Sequence, residues 1–282
     1  FMKIVQDNKS LVNLCKLLAK QHIIYLDTEF KRDKTYWPKL CTIQFRTSRQ
    51  TYLLDIIDIF KYDLEKLKYI LSSTLILKVI HSAKQDIEVL NYTFGIKVKN
   101  VFDTQLVYDH IFNTVTIGYR NIVKNLLNVN LSKKLQSSDW SQRPLNSKQL
   151  IYAENDVKYL PKIYLFLIQK IKKKRMVRMI KILNHTNTEV GDTFEPKMAY
   201  KRIKTKSINR NQKKLIKKYA HWRELQAQKY DMPRNWVVSD KNLIRASKER
   251  FNDLLKHRKN NDQKLELFKT FLKSEIFSQK EL

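Results

Sequence analysis

The chain has 282 residues, 43% of them hydrophobic, enough for one large domain or two ordinary ones with real cores. Fifty-six Lys and Arg against 27 Asp and Glu give a formal charge of +29; this points to nucleic acid ahead of an anionic membrane surface or a simple Lys bias. Three glycines exclude a glycine-rich phosphate loop, and Cys15 and Cys41, both in apolar surroundings, exclude a disulfide scaffold and lack zinc spacing.

"SLVNLCKLLAK" carries apolar residues at helical spacing behind polar residues that can cap it. Three β-rich runs follow, "HIIYLDTEF", "LCTIQFRTS" and "QTYLLDII", with links short enough for neighbouring antiparallel strands. "YDLEKLKYIL" reads as a helix, "LILKVIHS" as a strand and "AKQDIEVLNYTFG" as a helix closed near Gly95. "VKNVFDTQLVYDHIF" reads as a strand running into a helix. From there to about residue 172 the pattern is mostly helical, and Pro161 restarts or kinks its longest periodic run, "LNSKQLIYAENDVKYLPKIYLFLIQKI". The expected fold class is α/β, a mixed sheet that is antiparallel at first and carries helices on its faces.

Residues 171–214 are dense in Lys and Arg, and polar "NHTNTEVGD" within them marks a join between domains. From about 212 the chain reads as all-helical: "QKKLIKKYAHWRELQAQKYDMP" ended by Pro233, "SDKNLIRASKERF" with a Ser or Asp cap, and amphipathic "QKLELFKTFLKSEIF". No apolar run reaches transmembrane length, and "FMKIVQDNKS" has no signal-peptide core. With two apolar thiols, this predicts a cytoplasmic protein with no membrane association and no obligate protein partner.

Asp27 and Glu29 in "LDTEF" lie two apart, so on a strand they share a side, about 6–7 Å from each other along it, and repel. Asp86 opens the helix of "HSAKQDIEVL", and Tyr152 and Asp156 of "YAENDVKYL" lie four apart on one helix face. Glu88, Asp103 and Glu154 compete for the same role, and each acid alone also has an ordinary reading as a helix-end or solvent-facing carboxylate. Gathered together, Asp27, Glu29, Asp86 and Asp156 need cations, and their oxygen donors suit hard divalent ions better than zinc. Two such ions about 3.5–4 Å apart form a clamp suited to phosphodiester cleavage.

The same segments resemble the bacterial ribonuclease D family, in the Tyr-containing subgroup of the DEDD superfamily of 3′–5′ exonucleases. "LDTEF", "HSAKQDIEVL" and "YAENDVKYL" match its three motifs, and "RDKTYWPKLCTIQF", "LLDIID", "DTQLVYDHIF" and "SDWSQRPL" follow its pattern between them. "LIKKYAHWRELQAQKYDMPRNWVVSDKNLIRAS" resembles the helicase-and-RNase-D C-terminal (HRDC) module.

The resemblance implies a ribonuclease H-like mixed sheet flanked by helices over residues 1–172, a basic connecting region over 173–211, and a single small all-helical HRDC-like domain over 212–282. It implies a 3′–5′ exoribonuclease that releases nucleoside 5′-monophosphates and trims tRNA precursors and other small structured RNAs at a free 3′-OH end. Two divalent cations, Mg²⁺ or Mn²⁺, would sit on Asp27, Glu29, Asp86 and Asp156, with Tyr152 orienting the attacking water. His81 would back the site. RNA contacts are expected from Phe30, Tyr36, Trp37 (with core packing equally open to Trp37), Lys213, Lys214, Lys217, Lys218 and Arg234, whereas Trp222 and Trp236 are expected to pack in the small core. A single-stranded DNA exonuclease and a non-catalytic RNA-binding protein on the same fold are the alternatives.

Overall fold

β2 (Ile23–Lys31) is the strand on which the first part of the computed structural model is built, and its alternation sets the two faces of the sheet. The structure describes residues 2–132, 138–171, 195–205, 208–248, 268, 270 and 271. β3 (Lys39–Arg46) pairs antiparallel with β2, and β4 (Thr51–Asp55) pairs antiparallel with β3. β5 (Leu77–Ile80) and then β6 (Val101–Asp103) add in parallel on the other side of β2. β1 (Lys3–Val5) pairs in parallel with β4, giving the order β1-β4-β3-β2-β5-β6. The sequence predicts this mixed sheet except for β1, whose three residues are too few to show an alternation.

Ile24 and Leu26 of β2 share one apolar core with α1 (Asn8–Leu18), α2 (Ile56–Ile59), α3 (Glu65–Ser72) and α4 (Lys84–Phe94), where Leu11, Leu18, Ile59, Leu67, Leu71, Ile87 and Leu90 complete it. Tyr25 joins Val79 and Phe102 in a second core. That core is closed by Val107 of α5 (Thr104–Phe112), Ile122 and Val123 of α6 (Tyr119–Leu127), and Ile163 and Leu167 of α8 (Leu160–Lys170). Each such side chain contributes about 1.5–3 kcal/mol by leaving water. Asp27 and Glu29 are in phase with Tyr25, so the pleat sends both to the second face, beside helices rather than into the first core.

Local signals end the elements where the sequence predicts. Asp7 and Ser10 form a reciprocal capping box at α1. Gly95 closes α4 with φ 64°, a left-handed conformation that glycine adopts without a Cβ clash. Pro161 sits in the first turn of α8, directly after α7 (Ser147–Lys158), so the long periodic run becomes two helices.

"SDWSQRPL" anchors the chain that leads into α7. Trp140 is buried, Asp139 accepts from Lys31 Nζ at 2.8 Å, and Arg143 holds buried Asp55 through two bonds of 2.5 and 2.6 Å while also donating to the Cys41 carbonyl at 3.2 Å. Arg143→Ala strands the Asp55 carboxylate at 1% exposure, so a loss of about 3 kcal/mol in urea-unfolding free energy is expected.

The chain divides into two compact units: Phe1–Lys31 with Pro38–Gly191, and Arg32–Trp37 with Asp192–Leu282. In the second, the helix Arg210–Lys229 starts on a capping box between Asn209 and Gln212. It packs with a 3₁₀ helix (Pro196–Arg202) and the helix Asp240–Lys248 around Ala199, Ile216, Ala220, Ala227, Leu243 and Phe268. The expected cap of Asp240–Lys248 is Ser239, whose hydroxyl accepts from the Asn242 amide at 3.2 Å. Pro233 lies past the end of Arg210–Lys229 and precedes the short helix Arg234–Val237. Trp222 stacks on Phe271 at 4.8 Å and packs against this core, as expected, whereas Trp236 is 48% exposed.

Tyr36 belongs to this second core. The "NHTNTEVGD" join and most of "QKLELFKTFLKSEIF" lie outside the described residues. Among the described residues no helix is long and apolar enough to cross a membrane. Cys15 and Cys41 are buried free thiols, and burial pushes both up to about 11.

Candidate active site

A cavity of about 520 Å³ opens over the end of β2. Asp27, Thr28, Glu29 and Phe30 come from the strand, His81, Ser82, Gln85 and Asp86 from the turn into α4, and Tyr152 and Asp156 from α7. Gln105, Gly118, Tyr119, Arg120 and Asn121 complete the lining. Carboxylate oxygens of Asp27, Glu29 and Asp156 lie within 4.8 Å of one another. Helical spacing puts Tyr152 and Asp156 on the α7 face turned toward Asp27 and Glu29, and Tyr152 hydrogen-bonds Asp156. A capping box between Asn146 and Gln149 starts that helix, and the Gln149 amide donates to the Ser138 hydroxyl at 2.9 Å.

Asp86 reaches the site through Thr28. The Thr28 amide and hydroxyl both donate to Asp86 Oδ1, at 3.1 and 2.5 Å. The residue between the two acids of "LDTEF" therefore acts as more than a spacer, because it binds the first turn of α4 to the strand. Asp103 is excluded from the cluster because its carboxylate accepts from the amides of Ser82, Ala83 and Gln105 at 2.8–3.0 Å, capping α5 and fixing the turn before α4. Glu88 and Glu154 do not line the cavity.

Acids buried this close together oppose one another's ionisation. Burial first, and then the charges of Asp86, Asp156 and Glu29, push the Asp27 carboxyl well above its usual range. Glu29 is raised in the same way by burial and by Asp156 and Asp86. Burial raises Asp86 and Asp156 to about 7 each, against hydrogen bonds from Thr28 and Tyr152 that pull them down. Arg120 is the cation in the lining, and its charge lowers Asp156. Burial pushes His81 down to about 4, so it is a neutral wall at neutral pH, with Nδ1 3.0 Å from the Thr104 hydroxyl. The donor set fits a hard divalent cation: clustered carboxylate oxygens, desolvated, and destabilised by one another until a positive charge arrives.

Among the expected RNA contacts, Phe30 lines the cavity. Tyr36 does not hold as a stacking residue: it is 1% exposed, its hydroxyl bonds Glu224, and it fills the second unit's core. Trp37 packs edge-on against Tyr36 at 4.7 Å. Lys213, Lys214, Lys217 and Lys218 are exposed along Arg210–Lys229, and Arg234 commits its Nε to Glu224 at 2.7 Å. The sequence reading missed Gln105, Tyr119, Arg120 and Asn121. All four lie in the first turn of a helix, Gln105 in α5 and the others in α6, and "TIGYRN" between two motifs carries Tyr119, Arg120 and Asn121.

A sheet of this order with an acidic cavity at the end of its central strand defines a protein of the 3′–5′ exonuclease class, and a family profile described as 3′-5′ exonuclease matches residues 2–172. The chain belongs to the ribonuclease D family. It is 32% identical over 250 residues to ribonuclease D of Bartonella henselae, and 29% identical over 242 residues to that of Gluconacetobacter diazotrophicus, with 86% of the chain covered in each case. The chain spans about 60% of the length of these curated relatives. The crystal structure of Escherichia coli RNase D, described as an exoribonuclease involved in structured RNA processing, superposes with a TM-score of 0.75 at 26% identity, covering 90% of this chain and 68% of that one.

Proposed function

We propose that the chain is a divalent-metal-dependent 3′–5′ exoribonuclease that removes nucleoside 5′-monophosphates from RNA 3′ ends, including those of tRNA precursors and other small structured RNAs. The observation that carries the reading is the cluster of Asp27, Glu29 and Asp156, within 4.8 Å of one another in a cavity large enough for a terminal nucleotide. In this reading residues 1–172 form the exonuclease domain, 173–211 a basic connector and 212–282 one HRDC-like module, to which residues 32–37 add. Two buried free thiols favour a reducing, cytoplasmic setting.

Asp27, Glu29, Asp86 and Asp156 would hold two ions, Mg²⁺ or Mn²⁺. When bound, these supply Lewis acidity and counter-charge for the attacking and leaving oxygens. In the reaction a water oxygen bonds to the last phosphorus, the bond from that phosphorus to the 3′-oxygen of the preceding nucleotide breaks, and a 5′-monophosphate and a new 3′-hydroxyl result. Burial and the neighbouring acids hold the Tyr152 phenol well above its ordinary range, so it stays protonated; its one O–H, which here donates to Asp156, would turn to orient the water once Asp156 binds an ion. Arg120 offers charge to the substrate phosphates, and Thr28 keeps Asp86 on the strand. Phe30 provides an apolar edge for the terminal base.

The test compares a 3′-extended tRNA with a matched oligodeoxynucleotide, each with Mg²⁺, Mn²⁺ or EDTA. Faster trimming of the tRNA, abolished by EDTA, supports the reading. Faster digestion of the DNA favours a DNA exonuclease, and binding without hydrolysis favours a non-catalytic RNA-binding protein. Tyr152→Phe is expected to lower kcat about a hundredfold with little change in KM, since it removes one orienting donor.

A further inference from the structure

The second unit contains a cavity of about 300 Å³, within the range of small-molecule pockets (about 300–1,000 Å³). Four guanidiniums line it, those of Arg32, Arg202, Arg223 and Arg234, together with the carboxylates of Asp33 and Asp240. We propose that this cavity is a binding site for a phosphate group, carried by a nucleotide or by a nucleic-acid strand. The inference rests on the second unit's residues and not on the nuclease reading of the first.

Charge and hydrogen-bond accounting support it. Glu224, fully buried, accepts from Arg202 Nη1 and Arg234 Nε at 2.7 Å each, and Asp240 accepts from Arg223 Nη1 at 2.7 Å. The lining itself holds four guanidiniums and two carboxylates, with Glu224 behind it and Arg32 Nε donating to the Tyr36 carbonyl at 3.0 Å. Each guanidinium carries five N–H groups. Arg202 gives one of these to Glu224, and Arg234 gives Nε to Glu224 with a longer bond of 3.4 Å from Nη2 to the Tyr36 hydroxyl. Arg223 is 2% exposed, donates Nη1 to the Val238 carbonyl and to Asp240, and its buried Nε has no hydrogen-bond partner. A desolvated guanidinium with an unmatched donor is costly unless an acceptor or a negative charge stands nearby.

Planar guanidinium forks of fixed orientation match the tetrahedral oxyanion of a phosphate better than a diffuse lysine surface does. Glu224 sets that orientation by clamping two of the four arginines from beneath. Such a site differs in kind from the exposed lysines of Arg210–Lys229, which offer single point charges.

The test uses the full chain in EDTA, so that the uncompensated carboxylates of the first unit repel anions. Calorimetric titration with inorganic phosphate, adenosine 5′-monophosphate, a short RNA and uncharged adenosine separates the sources. Binding of the phosphate-bearing ligands without adenosine is expected. Arg32→Gln and Arg202→Gln should weaken it about tenfold. Arg202→Gln risks unfolding because it takes one of two guanidiniums from buried Glu224, so the second arm is Asp33→Asn. This exposed substitution removes a repelling charge and should tighten binding about threefold. RNA binding alone, still weakened by Arg32→Gln and tightened by Asp33→Asn, assigns the site to the strand. Equal binding of adenosine, or affinities for every ligand that neither Arg32→Gln nor Asp33→Asn moves, overturns the proposal.

Discussion

Asp27→Asn is expected to cut nucleotide release about a thousandfold or more, and at the same time to raise the melting temperature of the chelated protein. The first effect follows from removing a charged oxygen donor from the centre of the cluster. Stabilisation of the attacking and leaving oxygens is worth several kcal/mol, and each 1.36 kcal/mol is a factor of ten in rate. The second follows from the cost of the acids to one another. Asp27 is raised by burial, by Asp86, by Asp156 and by Glu29, so a neutral amide of the same shape relieves the repulsion. A gain of about 1 kcal/mol corresponds to about 2–4 °C in a chain of this size.

The pH dependence has a definite sign. Burial raises Asp86 and Asp156 from 3.8 to about 7, so between these values the folded chain holds protons that the unfolded chain has released. Without metal, stability should therefore fall as pH rises from about 4 through 7 and level off above. Asp27→Asn should flatten that slope, and Mg²⁺ should oppose it in the natural chain. Differential scanning calorimetry in EDTA and in Mg²⁺, beside a turnover assay, checks both. Full turnover in Asp27→Asn would falsify the metal assignment.

The largest expected loss of stability comes from Glu224→Ala in the second unit. Glu224 is fully buried and holds Arg202, Arg234 and the Tyr36 hydroxyl at once. Burial alone would raise its carboxyl, but the hydrogen bond and charge of Arg234, the Tyr36 hydrogen bond and the Arg202 charge outweigh it and hold Glu224 below its usual 4.5. Its contribution is thus complete above pH 4.5 and lost as the solution is acidified through the lowered value. Removing it leaves two guanidiniums without their carboxylate, at a cost of about 3–5 kcal/mol. Tyr36 and Trp37 report the change, so tryptophan fluorescence against urea should show an early transition that the natural chain lacks. Coincident single transitions in both proteins would count against this account.

What was legible in the sequence was what repeats. β2, β3 and β4 alternate visibly, α1 and α4 carry their periodicity and end signals, and the acids of "LDTEF" stand out because charge interrupts an apolar strand. The pairing of Tyr152 with Asp156 follows from helical spacing alone. What was not legible depends on contacts distant in the chain. Thr28 looks inert until its partner Asp86, 58 residues away, is placed beside it. Arg120 and Tyr119 enter the cavity from the start of a helix whose periodicity describes only its buried side. Tyr36 reads as a candidate base contact, and Trp37 as either that or a core residue, because nothing local indicates the core that receives them.

The crossing of residues 32–37 into the second unit bears on how the protein is made. Tyr36 and Glu224 are 188 residues apart, so on the ribosome the hexapeptide waits for its partner while the intervening chain is synthesised. At about 5–20 residues per second that interval is about 10–40 s, long compared with the folding of a small helical unit. During it, two large aromatic side chains in the link between β2 and β3 lack the surface they will pack against. Translation speed and chaperone access in that window should therefore govern the yield of native protein more than the stability of either finished unit does.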